Sequence, residues 1–186
     1  MSSGALSNSL FTAVTTPLTG AYTSAAATSR ENGRDGMTAN VSGARYKVNQ
    51  GNVDTSGLGG IPSSPNFPFD ATTVHAGQHV ELDSDRAIAG GAVAAEKVKL
   101  QQQALTGTVS GLPGATSAGP VTFTLTVPGD SAFAMLSDQT TLTVYWQPGT
   151  ELHDLDSVSN GDKVRVRGLV FFTGSNFNVI ARRIDQ

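Results

Sequence analysis

The stretch "SVSNGDKVRVRGLVFF", residues 157–172, reads as a polar turn feeding a strand that alternates between two faces. Val164 and Val166 share one face, and Lys163, Arg165 and Arg167 share the other. The same phrase occurs earlier as "TVHAGQHVELDSD", residues 73–85. There Val74, Gly77 and Val80 stand as Val158, Gly161 and Val164 do later, and Leu82 stands as Val166. One turn and strand written twice predicts a tandem repeat of one β unit.

Outward from these anchors the later half is plain. "LTGTVSGL" (105–112) opens it, and its GTVSG echoes ANVSG at 39–43. "VTFTLTV" (121–127) sets Val121, Phe123, Leu125 and Val127 against three threonines, the mark of a half-buried strand. "TTLTVYW" (140–146) is a third strand, and "FNVIARRI" closes a hairpin with "DKVRVRGLVFF" across "TGSN". "DSAFAMLSD" (130–138) predicts a helical turn. In "TELHDLDSV" (150–158), Leu152, Leu155 and Val158 lie three apart, which predicts a short helix or 3₁₀ segment capped by Thr150. The predicted core is Phe123, Leu125, Val144, Val164, Val166, Val179 and Ile184.

The earlier half repeats this loosely. "TANVSGARYKVN" alternates Tyr46 and Val48 with Arg45 and Lys47, and 51–70 is a loop dense in Gly and Pro that ends on Phe67 and Phe69. Residues 90–105 have helix-forming composition, yet Lys97 and Lys99 alternate with Val98 and Leu100. The match of "AEKVK" (95–99) to "ARRID" (181–185) decides for a strand. Residues 1–37 read as a polar arm with one apolar cluster, Leu10, Phe11 and Val14, which predicts a single short strand, and 24–36 read as loop. Five short antiparallel strands without a long helix close most simply into a small barrel, because closure removes exposed edges. The expectation is all-β: an N-terminal arm (1–37), a first barrel (38–104) and a second barrel (105–186).

Composition bounds the function. Charged residues are only 15% of the 186 and the formal net charge is −3, so nothing draws the chain to nucleic acid or an acidic membrane. The absence of cysteine excludes disulfides, thiolate metal sites and cysteine nucleophiles. No apolar run approaches the ~20 residues of a membrane span. "MSSGALSNSLF" lacks the basic start and long apolar centre of a signal peptide, so an exported form would carry its signal outside this numbering.

A set of motifs in the later half resembles a known family. It comprises Gly107-Thr108-Val109, Phe123-Thr124-Leu125, Thr141-Leu142-Thr143-Val144, Asp154-Leu155, Gly161-Asp162-Lys163-Val164-Arg165-Val166-Arg167-Gly168 and Ala181-Arg182-Arg183-Ile184. This resembles a bacterial exported repeat family of unknown function with an OB-like β-barrel, well over 105–186 and loosely over 38–100, where Gln78 and His79 replace the family's Asp and variable position. The resemblance implies two OB-like barrels in an extracytoplasmic β module, and it carries over no catalytic residue.

Candidate chemistry is sparse. His75 and His79 have the spacing of a helical zinc pair but straddle Gly77, so they share no helix face. Asp83 with Asp85, and Asp154 with Asp156, form Asp-x-Asp pairs that suit calcium, without clear further ligands. Glu151, Asp154 and Asp156 lack the walled cleft that glycoside chemistry requires, and no Gly-x-Ser-x-Gly elbow occurs. Lys163, Arg165 and Arg167, with Arg182, Arg183 and Trp146 nearby, are the candidate ligand-binding set for an oligosaccharide or a single strand. The net charge argues against the latter.

The expected function is therefore a non-enzymatic structural or assembly module of a bacterial surface, without cofactor. Its partners would be copies of itself joined through β-edges, with a glycan as the other candidate ligand. Leu10, Phe11 and Val14 would order as a strand against an open barrel edge, in the same chain or in a neighbour.

Overall fold

In the computed structural model the strand after Gly161 runs Lys163–Phe172, and Val164 and Val166 are buried beneath it. The structure describes residues 8–14, 24–29, 37–40, 44–48, 67–84 and 92–186, with side chains for 44–48, 67–82 and 95–186. The chain divides into unit 1 (Met1–Asn49 with Phe69–Gln101) and unit 2 (Gln50–Pro68 with Gln102–Gln186).

Unit 2 is a closed five-stranded barrel. Its strands are β8 (Gln102–Ser110), β9 (Val121–Thr126), β10 (Thr141–His153), β11 (Lys163–Phe172) and β12 (Phe177–Asp185). Round the ring the order is β8-β9-β10-β12-β11, antiparallel throughout except for the parallel pair β10–β12. All seven predicted core residues are buried in one cluster with Trp146, Phe172 and Phe177. The helical turn is α1 (Ala132–Ser137), capped by the Ser131 hydroxyl, which accepts a hydrogen bond from the Ala134 N–H.

The helix predicted at 150–158 does not form. Residues 150–153 extend β10, and Leu152 pairs with Ile184. The three-residue spacing of Leu152, Leu155 and Val158 places all three against the same core from a strand end and a loop. An irregularity at Gln147–Thr150 lets β10 continue: the Thr150 hydroxyl accepts from the Gln147 N–H and donates to the Ala181 carbonyl. A bulge between Arg167 and Gly168 leaves Arg182 as the extra residue of β12. The strands approach so closely there that a Cβ on Gly168 would collide with the Ile180 carbonyl.

Unit 1, where the first barrel is expected, forms a separate sheet. Its strands are β1 (Asn8–Val14), β2 (Ser24–Ser29), β3 (Met37–Asn40), β4 (Arg45–Val48), β5 (His79–Ser84), β6 (Ala92–Ala94) and β7 (Lys97–Leu100). They form one seven-stranded sheet in the order β4-β7-β5-β1-β2-β3-β6, with parallel pairs β3–β6 and β4–β7. The strand reading of 94–100 holds in β7, whose Val98 and Leu100 are buried. The arm contributes two strands, not one. β2 crosses the stretch read as loop, its run of alanines carrying no alternation to reveal it. β1 lies between β5 and β2, so it is an interior strand of the sheet and not an addition at its edge.

The repeated turns within 73–85 and 157–172 adopt one geometry. Gly77 and Gly161 each sit third in a turn with φ of 95°. The Gln78 N–H donates to the His75 carbonyl and the Asp162 N–H to the Ser159 carbonyl, both at 3.2 Å. Val74 and Val158, Val80 and Val164, and Leu82 and Val166 are all buried.

Candidate functional site

The alternation of β11 sends Lys163, Arg165 and Arg167 outward as expected, Lys163 and Arg165 exposed and Arg167 half-buried. Pairing with β12 brings Arg183 opposite Arg167 and Asp185 opposite Arg165. Asp185 Oδ2 then lies 3.1 Å from the Nε atoms of both Arg167 and Arg183. The carboxylate is 8% exposed and half-screens the stripe that a polyanion would need. Sequence reasoning passed over Asp185, although its place two residues after Arg183 put both on one face of the strand.

Trp146 does not belong to this surface. It points into the barrel, fully buried, and its indole N–H has no hydrogen-bond partner among the described residues. Neighbouring strand residues face opposite ways, and here Tyr145 is the one turned outward. Tyr145 meets Phe67 edge to face at 5.2 Å between ring centroids, and Phe67 stacks on Phe171 at 5.3 Å. Phe67, from the loop, thus covers outward-facing aromatic rings on the barrel wall. Burial pushes the Tyr145 phenol above its ordinary value.

Of the acidic pairs, Asp154 and Asp156 are the one whose side chains are described. Asp154 and Asp156 are exposed in the loop after β10, and Asp154 Oδ2 lies 2.9 Å from His153 Nδ1. Asp154 takes φ of 58°, the left-handed turn conformation that aspartate tolerates. Asp83 is in β5, where its backbone pairs with Ser9 and Lys97. Its side chain, and Asp85 altogether, lie outside the described residues. Among the described residues no three metal-ligating side chains come together. His75 and His79 flank the Gly77 turn, with His75 Nδ1 3.2 Å from the Ala76 carbonyl.

Leu10, Phe11 and Val14 lie on β1, and their side chains are outside the described residues. The backbone register sets Leu10 opposite Leu82, Phe11 opposite Glu81 and Val14 opposite Ala27. In unit 1, Glu81 accepts from Lys99 Nζ at 3.2 Å and from the Gln101 amide, tying β5 to β7 and the residue beyond it. Nearby, Tyr46 and Phe69 meet edge to face. Burial, assisted by the Asp70 charge, raises the Tyr46 phenol, while hydrogen bonds from Thr72 and Thr73 hold Asp70 below the usual carboxylate value.

Among the described residues no helix is long and apolar enough to cross a membrane. Comparison with protein-family models, with curated proteins and with solved structures finds no match to this chain.

Proposed function

We propose that this chain is a non-enzymatic structural module of a bacterial surface, built of two tandem OB-like barrels, acting outside the cytoplasm and joining copies through β1. The observation that carries the tandem reading is a correspondence of pairing. In unit 2, β8 pairs antiparallel with β9 and β11, and β10 runs parallel to β12. In unit 1, β1 pairs antiparallel with β2 and β5, as β8 does. Taken together, β3 and β4 occupy the place of β10, and β6 and β7 the place of β12, with parallel pairing in both halves. The interruptions, between Asn40 and Arg45 and between Ala94 and Lys97, answer to the register shift between Trp146 and Glu151. On that reading both units share one strand order, 1-2-3-5-4, which supports taking unit 1 as a repeat of unit 2.

A structural role is supported by where the charged side chains go. Glu81 with Lys99, and Asp185 with Arg167 and Arg183, link residues of neighbouring or the same strands instead of converging on an open cleft. Association through β1 is supported by its place in the chain. The nine residues between β1 and β2 reach about 30 Å when extended. That reach lets β1 fill the slot between β5 and β2 of a neighbour, head to tail.

Sedimentation of the full chain across concentration tests this, beside a chain lacking residues 1–14. A reversible rise in mass that the deletion abolishes is the expected result. A monomer mass at every concentration rejects association by β1. The tandem reading is tested separately, by cross-strand nuclear Overhauser contacts for β3–β6 and β4–β7.

A further inference from the structure

The outer face of β8, β9 and β10 is made almost wholly of hydroxyls. Thr106, Thr108 and Ser110 alternate with inward Leu105 and Val109, and Thr122, Thr124 and Thr126 with inward Phe123 and Leu125. Thr141 and Thr143 alternate with inward Leu142 and Val144. Strand register assembles them into rows. Thr108, Thr126 and Thr141 lie side by side, then Ser110, Thr124 and Thr143, then Thr122 beside Tyr145. Neighbours within a row are about 4.8 Å apart across strands, and rows are about 6.8 Å apart along them.

Two further observations separate this face from an ordinary solvated strand surface. First, it carries no charge: the barrel's strand-borne charges sit on β11, β12 and the far end of β10. Secondly, several hydroxyls elsewhere in unit 2 bond within the protein. Ser137 donates to the Phe133 carbonyl and Thr150 to the Ala181 carbonyl, each at 2.8 Å, and Thr116 donates to the Gly114 carbonyl at 3.1 Å. Among the described residues, neither the seven Ser and Thr hydroxyls of the rows nor that of Thr106 makes such a bond. Threonine's strand propensity explains its tolerance here. It does not explain why β8, β9 and residues 141–150 of β10 carry no charged residue.

We propose that this face binds a neutral polysaccharide chain. A hydroxyl both donates and accepts, so rows of hydroxyls complement the hydroxyls of a sugar polymer. The absence of Lys and Arg gives a polyanion nothing to pair with, and the absence of apolar side chains gives a lipid nothing to bury. Tyr145, half-buried against Phe67, ends the third row with a phenol. The proposal is independent of association through β1.

Affinity gel electrophoresis of the full chain through hydroxyethyl cellulose, dextran and mannan tests it. The expected result is retardation by at least one polymer, unchanged between low and high salt. Thr124→Val with Thr143→Val keeps shape and strand propensity while removing two central hydroxyls, and should weaken retention about tenfold. Thr124→Glu, with its melting temperature checked, should abolish retention. Absence of retardation by all three polymers overturns the proposal, as does retention that survives both variants. Binding that appears only with an oligonucleotide and falls with salt would assign the barrel to a polyanion instead, and would equally overturn it.

Discussion

Gln78 and Asp162 accept the same hydrogen bond in two different turns. Gln78 Oε1 takes the His75 N–H at 2.7 Å, and Asp162 Oδ2 takes the Ser159 N–H at 2.8 Å. Both close the turn whose third residue is a glycine at φ of 95°. A longer amide side chain has taken over the task of a carboxylate, so the turn geometry, not the charge, is what the two positions share.

That relationship predicts graded effects at Gly161. Gly161→Ala places a Cβ at positive φ and should cost about 1 kcal/mol or more, although the space around the residue is open. Asp162→Ala should cost about 1 kcal/mol through the lost bond, and Asp162→Asn should recover most of it. Urea denaturation of the three variants checks the order. Equal stability of the Ala and Asn variants at 162 would contradict the shared-acceptor account.

Trp146 is the sole tryptophan and fully buried. Its fluorescence should be blue-shifted in the folded protein and inaccessible to acrylamide, with or without polysaccharide. Trp146→Ala should cost about 3–5 kcal/mol. Ready quenching in the native state would mean that the ring is on the surface after all.

Phe67 is 6% exposed on the outside of the barrel, between Tyr145 and Phe171. Phe67→Ala should lower stability by about 3 kcal/mol and raise binding of a hydrophobic dye, because outward-facing aromatic rings lose their cover. Calorimetry and dye titration measure both. A variant that melts like the parent would show that Phe67 does not hold its place.

Alkaline pH should weaken the fold through two phenols. Tyr145 and Tyr46 both hold their protons above the ordinary value of 10.0, chiefly because burial disfavours the phenolate. Their contribution is whole below pH 10.0 and is lost as pH rises from there through the raised folded values. Tyr145→Phe with Tyr46→Phe should therefore flatten the fall of the melting temperature above about pH 10. An unchanged slope would exclude these phenols as its source.

The sequence by itself determined the strands that alternate, and it did so for a local reason. In β9, β10 and β11, period two separates the residues that can share a face, and Val164, Val166, Phe123 and Leu125 went inward together. The paired Gly77 and Gly161 turns were equally legible, since a glycine before an alternating run specifies backbone conformation without distant partners. What tertiary structure alone decided concerns neighbours far along the chain. Period two says that Tyr145 and Trp146 face opposite ways, but only packing against Phe123, Val179 and their cluster decides which is core. β2 lacks alternation altogether, and only its pairing with β1 and β3 makes it a strand. Residues 150–153 carry a helical spacing that the parallel ladder with β12 overrides, because backbone hydrogen bonds in a closed ring outweigh the weak propensity of so short a segment. Asp185 meets Arg167 only through the pairing of β11 with β12, and Phe67 meets Phe171 only through a contact between residues far apart in the chain. A sequence records which side chains can share a face; what meets that face is settled by contacts between residues that the local pattern never compares.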